Sequence, residues 1–152
     1  MSMGFIWIYL FGILSIIMLV VVPFEKIKEL LWFSLFGGFF LAVIVQLLGV
    51  SLNFWEFNTG FLIIYNFPLG VGLMWVPSVI IYGYFFNKFD NISFKFLIIL
   101  IFSVFTTITT YASVRLGFRE YINFNIYSDF LLAFILHLIL GYYLFIQKNV
   151  HI

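Results

Sequence analysis

Five apolar runs, each about as long as a bilayer's hydrocarbon core is thick, follow one another along this chain with only short polar segments between them. Crossing a core roughly 30 Å thick takes about 20 predominantly apolar helical residues, whereas a barrel strand needs only about 9–11. Inside lipid a segment must satisfy its own backbone hydrogen bonds, which leaves helices and closed barrels as the spanning structures. Runs of this length therefore predict an all-α integral membrane protein, a compact bundle of about five transmembrane helices. Composition points the same way: 65% of the 152 residues are hydrophobic and 9% charged, against about 25% charged in a soluble domain. One transmembrane domain over residues 1–152 uses the whole length.

The expected helices are Met3 to Val22, Leu30 to Leu52, Phe61 to Phe86, Phe96 to Leu116 and Phe130 to Ile146. The first is read as a retained span, since Met1 to Gly4 carries no positive charge and no small-residue cleavage pattern follows. Pro23 and the run Glu25 to Glu29 separate the first two helices, and Asn87 to Asn91 ends the third. Ser128 and Asp129 are the expected N-cap of the fifth, because their oxygens can accept from free first-turn amides. The third helix is the least regular. It holds Pro68 and Pro77, and each proline would leave the carbonyl four residues earlier, on Ile64 or Leu73, without a donor. A long, tilted helix kinked or broken by these prolines is expected. The alternative is a short interfacial or re-entrant piece up to Asn66, followed by a helix from Pro68.

Basic residues alternate between the two sides. Lys26, Lys28, Lys88, Lys95 and Lys148 fall on one side; Arg115 and Arg119 fall on the other. Five against two predicts a cell-membrane protein with its N-terminus outside and its C-terminus in the cytoplasm. A net charge of +1 offers no basic field for nucleic acid. The chain has no cysteine, which removes disulfides, Cys-ligated metal and thiol chemistry.

Within the spans, small and polar residues recur at helical spacing: Ser34, Gly38, Ala42 and Gln46 in the second helix; Ser103, Thr106, Thr110, Ser113 and Gly117 in the fourth; Ala133, His137 and Gly141 in the fifth. Helices in lipid associate through close packing of small residues and interhelical hydrogen bonds, so these stripes read first as bundle seams and second as the lining of a polar pathway. His137 is expected near the depth of Thr106 and Thr110, where its ring could donate to a threonine hydroxyl. An intramembrane ionisable group is also a functional candidate; in a membrane enzyme, His137 and the outer-loop Glu56 would be the candidate acid/base groups. No second His or carboxylate at that depth completes a metal site, and no cofactor is implied. Asn66 and Trp75 are the other polar positions expected within the membrane.

A second cluster belongs to the outer loops: Trp55, Glu56 and Asn58 in one, Arg115 and Arg119 in another. The ordinary reading is loop polarity and snorkelling. The functional one is a shallow headgroup site, capped by Trp55 and lined by Glu56, Arg115 and Arg119, in which Arg115 pairs with Glu56.

The run Trp55-Glu56-Phe57-Asn58, then Asn66-Phe67-Pro68, then Trp75 is similar to half-modules of carotenoid-cyclase-type membrane proteins, which place an aromatic–Asn turn before a proline-bearing helix. Leu69 and Gly70 stand where those proteins carry an acidic pair, so the resemblance implies a layout over some thirty residues and not a cyclase reaction. Three function classes follow. The favoured one is a non-catalytic subunit, regulator or lipid-interacting component, with membrane lipid and a homo-oligomer or another membrane protein as partners. The alternatives are an oligomeric transporter or channel subunit, and an enzyme acting on a lipid or isoprenoid.

Overall fold

The computed structural model describes residues 5–58, 60 and 62–150, with side chains up to 147. Helix α1 runs Ile6–Val21, and Pro23, which cannot continue a helix, breaks it from α2, Phe24–Ser34. The chain continues without a break through a π-helical segment, Leu35–Phe40, into α3, Leu41–Ser51. Then come short strands β1 (Trp55–Phe57), β2 (Ile63–Ile64) and β3 (Phe67–Pro68), helix α4 (Leu69–Lys88), helix α5 (Ile92–Arg115), strand β4 (Arg119–Tyr121) and helix α6 (Ile126–Val150). The fold is helical, and four of its rods are long and apolar enough to cross a membrane: Phe24–Ser51, Leu69–Lys88, Ile92–Arg115 and Ile126–Gln147. The 16 residues of α1 are as apolar but shorter.

Several boundaries differ from expectation, each for a local reason. The charged run Glu25 to Glu29 belongs to the first turns of α2, not to a loop, and Lys26 pairs with Glu29 at 2.7 Å one turn on. The third helix begins at Leu69 rather than Phe61. Tyr65 and Asn66 hold positive φ angles of 48° and 60°, the pair of conformations a two-residue type I′ hairpin turn requires, so the chain ahead of the helix forms the β2–β3 hairpin. Pro68 is consequently the residue before the helix and only Pro77 lies inside it, leaving Leu73 as the carbonyl that loses its donor. Helix α6 starts at Ile126: the Asn125 side chain accepts from the amides of Tyr127 and Ser128 at 3.0 Å each. That makes Asn125 the N-terminal cap in place of Ser128 and Asp129. Asn91 caps α5 in the same way, through the Ser93 amide at 2.8 Å. Lys95, placed in a loop from the sequence, lies buried inside α5 between the rings of Phe86 and Phe145. The expected helix starts at Met3 and Phe61, and His151, lie outside the described residues.

Helix α4 is the hub. Helix α1 packs along it, as do α2 and the π-helical segment, while α5 packs chiefly along α6. Lipid provides no hydrophobic drive between helices, so close approach decides, and small residues on and around α4 allow it. A Cβ on Gly70 would meet Trp7 at 2.8 Å, and one on Gly38 would meet the Trp75 carbonyl oxygen at 3.1 Å. Ser34, Gly38, Ala42 and Gln46 are all buried, and Gly38 lies against α4. The inner core gathers Val79, Ile80, Tyr82 and Phe86 of α4 with Leu30, Ile98, Leu140 and Leu144. Trp7, Phe67 and Val71 form a second, smaller cluster toward the other end of α4.

Strands β1 and β4 pair antiparallel, Trp55 opposite Tyr121 and Phe57 opposite Arg119. The segments after α3 and after α5 are thereby tied together at one end of the bundle. Gly117, which the sequence pattern put on the α5 stripe, lies beyond that helix at φ 75°. There it serves the left-handed turn that stops α5 and aims the chain into β4: the amide of Phe118 reaches back to the Ser113 carbonyl at 2.9 Å.

Candidate functional site

In both paired strands the middle residue is exposed and the first is buried. The exposed partners are Glu56 and Glu120, directly opposite each other, a like-charge juxtaposition tolerable only in water or headgroups. The buried ones, Trp55 and Arg119, meet face to face: the guanidinium carbon lies 4.1 Å from the Trp55 ring centre, inside cation–π range. Arg119 is 5% exposed, and its Nη2 stands 3.6 Å from Oδ1 of Asp129 in the first turns of α6. Burial pushes the guanidinium below its ordinary value, and Asp129 and Tyr121 act the other way to hold its proton. On the Asp129 side, the hydroxyls of Thr110 and Tyr121 lie beside the carboxyl group.

This arrangement leaves polar capacity unused. Nε and Nη2 of Arg119, Nε1 of Trp55, the Tyr121 hydroxyl, Oδ2 of Asp129 and Oε1 of Gln46 are all buried without a well-formed hydrogen bond. A buried donor left unmade costs about 1–3 kcal/mol.

Arg119 and Gln46 open onto a cavity of about 340 Å³. Its walls come from α1, α4 and α5, with His137 of α6 closing one side. The α5 wall changes character along its length, from Ile101, Phe102 and Phe105 to Thr106, Thr109, Thr110 and Ser113. Arg119, close after that hydroxyl run, marks the polar end. The other end is apolar, with Ile17, Ile81 and Ile101. Helix α1 packs on α4, whereas α5 packs chiefly on α6 and only lightly on α4. Ile17, Ile101 and Phe105 are 43%, 54% and 53% exposed, so the cavity opens sideways between α1 and α5.

The residues singled out from the sequence are thus divided. Gln46, Thr106, Thr110, His137 and Arg119 line one cavity, with Trp55 directly beneath Arg119. Glu56 faces away from it, and Asn58 uses its amide on the Gly117 carbonyl at 3.3 Å. Arg115 is exposed and donates to the Tyr111 hydroxyl at 2.7 Å in place of the expected Glu56 pair, one helical turn being a shorter reach than the loop. Asn66 sits exposed in the β2–β3 turn, not inside a span. His137 does not donate to a threonine: Nδ1 lies 2.8 Å from the Ala133 carbonyl, one turn back in its own helix. A carbonyl can only accept, so Nδ1 carries the proton. Its ring is stacked 6.3 Å from Trp75 and set edge-on 5.2 Å from Tyr82, whose hydroxyl donates to the His137 carbonyl at 2.7 Å. From the sequence, Asp129 reads as a cap and Tyr121 carries no role in a site. The signal that marks both strands is the matched alternation of Trp55-Glu56-Phe57 and Arg119-Glu120-Tyr121, with the charge of each triplet's centre turned outward.

Among the described residues, no group of three or more His, Asp or Glu side chains is arranged to hold a metal. No family model matches the chain, and neither the curated proteins nor the solved structures contain a match.

Proposed function

We propose that this chain is a five-span membrane protein that holds a lipid within its bundle, a non-catalytic lipid-interacting component. The observation that carries this reading is the cavity between α1 and α5, apolar along most of its walls, polar at one end and open to the side. A cavity of about 340 Å³ is within the roughly 300–1,000 Å³ range of small-molecule sites, and its lateral opening faces the phase in which lipids reside. Native mass spectrometry of the protein released from nanodiscs is expected to show one lipid retained per chain. Thr106→Phe, which fills the cavity from its α5 wall, is expected to lose that adduct while the bundle still assembles. A wild-type chain that retains no lipid beyond the detergent background would overturn the reading.

In this arrangement α1 is the fifth span. Its 16 residues are about 24 Å long, short enough that the bilayer thins or flanking residues snorkel. Helix α4 is the kinked third span, bent at Pro77. The N-terminus is outside, and the β1–β4 end lies on that same side. Burial and pairing of Arg119 leave Arg115 as the exposed basic residue of that end's two named arginines, which supports the assignment. Because the chain has no cysteine, single substitutions report topology cleanly. Asn58→Cys and Asn123→Cys are expected to react with a membrane-impermeant maleimide on intact cells, and Lys26→Cys and Lys88→Cys only after lysis. The reverse pattern would invert the orientation.

A further inference from the structure

We infer that the cavity takes a single-chain amphiphile whose head carries anionic oxygens, a carboxylate or a phosphate, seated on the Nε/Nη2 edge of Arg119. The inference rests on the lipid-holding reading above and specifies its ligand.

Three observations carry it. The first is a pair of unpartnered donors at the polar end. Arg119 lines the cavity, and its Nε and Nη2, which can only donate, are buried without a well-formed hydrogen bond, as are the acceptors Gln46 Oε1 and Asp129 Oδ2. The neighbouring Asp129 oxygen, at 3.6 Å from Nη2, lies beyond hydrogen-bond length. Adjacent N–H groups on a guanidinium edge match two oxygens of one carboxylate or phosphate, the strongest pairing open to arginine.

The second observation is length. The cavity is lined from Trp7 to Ile17 along α1, from Val71 to Ile81 along α4 and from Ile101 to Ser113 along α5. At 1.5 Å per residue these walls run about 15–18 Å, about half of a hydrocarbon core roughly 30 Å thick. A chain anchored by its head at Arg119 reaches the depth of one leaflet. Drawn out over that length, a volume of about 340 Å³ suits one extended hydrocarbon chain. The third observation is the gradient from hydroxyls beside Arg119 to isoleucines at the far end, which orders the ligand head to tail.

Delipidated protein in detergent, titrated with palmitate, 1-palmitoyl lysophosphatidate and hexadecanol and read by native mass spectrometry, tests this. At least one of the two anions is expected to bind tenfold or more tightly than hexadecanol. Palmitate alone would identify a free carboxylate as the head, lysophosphatidate alone a phosphate, and either supports the assignment. The double variant Arg119→Gln/Asp129→Asn removes both charges while keeping a polar side chain at each position, and is expected to erase the preference while hexadecanol still binds. Equal binding of hexadecanol to the wild type, a preference that survives in the double variant, or retention of diacyl lipid alone would overturn the inference and leave the lipid-holding reading standing. Failure of all three ligands to bind, with no lipid carried through purification, would overturn both.

Discussion

Asp129→Ala is expected to destabilise the folded protein by about 3–5 kcal/mol, the usual cost of removing one partner from a buried ion pair. Arg119 is 5% exposed, and Asp129 is the acidic group within ion-pair distance of it. Without that carboxylate, the guanidinium would keep its charge in a site walled by Trp55, Phe57 and Tyr121. The three rings attract the guanidinium in the wild type and the variant alike, so they do not replace the lost carboxylate. Denaturant unfolding in mixed micelles measures the change. Replacing both partners with apolar groups, as in Arg119→Met/Asp129→Leu, is expected to recover most of the stability, because the desolvation of two charges is then no longer required. If the single variant is as stable as the wild type, the pair contributes nothing to the fold and Arg119 has another anion in reach.

The second large effect is expected at Gly49. A Cβ there would fall within the indole of Trp55, which is itself 2% exposed and holds Arg119 on its face. Neither α3 nor the ring can shift freely, since Phe124 packs edge-on to Trp55 at 5.1 Å between ring centres. Gly49→Ala should therefore cost at least the roughly 1–3 kcal/mol of an overpacked core and displace the guanidinium from its seat. Combining it with Trp55→Phe, a smaller ring, is expected to return part of that loss in the same unfolding assay. Strict additivity of the two changes would show that they do not meet.

Both predictions depend on contacts that could not be read from the sequence. The four long apolar helices were legible because lipid demands about 20 apolar residues per crossing, and a run such as Leu30 to Leu52 supplies them without a charge. Their ends were not, because an end is decided by a few local hydrogen bonds. Asn125 rather than Ser128 accepts from the first amides of α6, and two residues at positive φ turn the chain ahead of α4 into a hairpin. The stripes Ser34 to Gln46 and Ala133 to Gly141 were legible as buried faces, since helical spacing places them together whatever they pack against. Which arginine turns inward was not. Arg115 and Arg119 are four residues apart and equally basic, but one ends a helix and the other begins a strand. The register with Trp55 fixes which of them is buried, and that pairing joins residues more than sixty positions apart.

The place of α4 at the centre of the bundle has a consequence for how the protein is made. Trp7 of α1 and Leu30 of α2 owe their burial partly to glycines of α4, Gly70 and Gly83, and both glycines leave the ribosome only after the first two rods. These rods enter the membrane with their packing faces bare, in the company of lipid or insertion machinery. Their partner arrives third. The order of synthesis therefore sets a waiting period during which any neighbouring helix of suitable shape can compete for the seat that α4 will take.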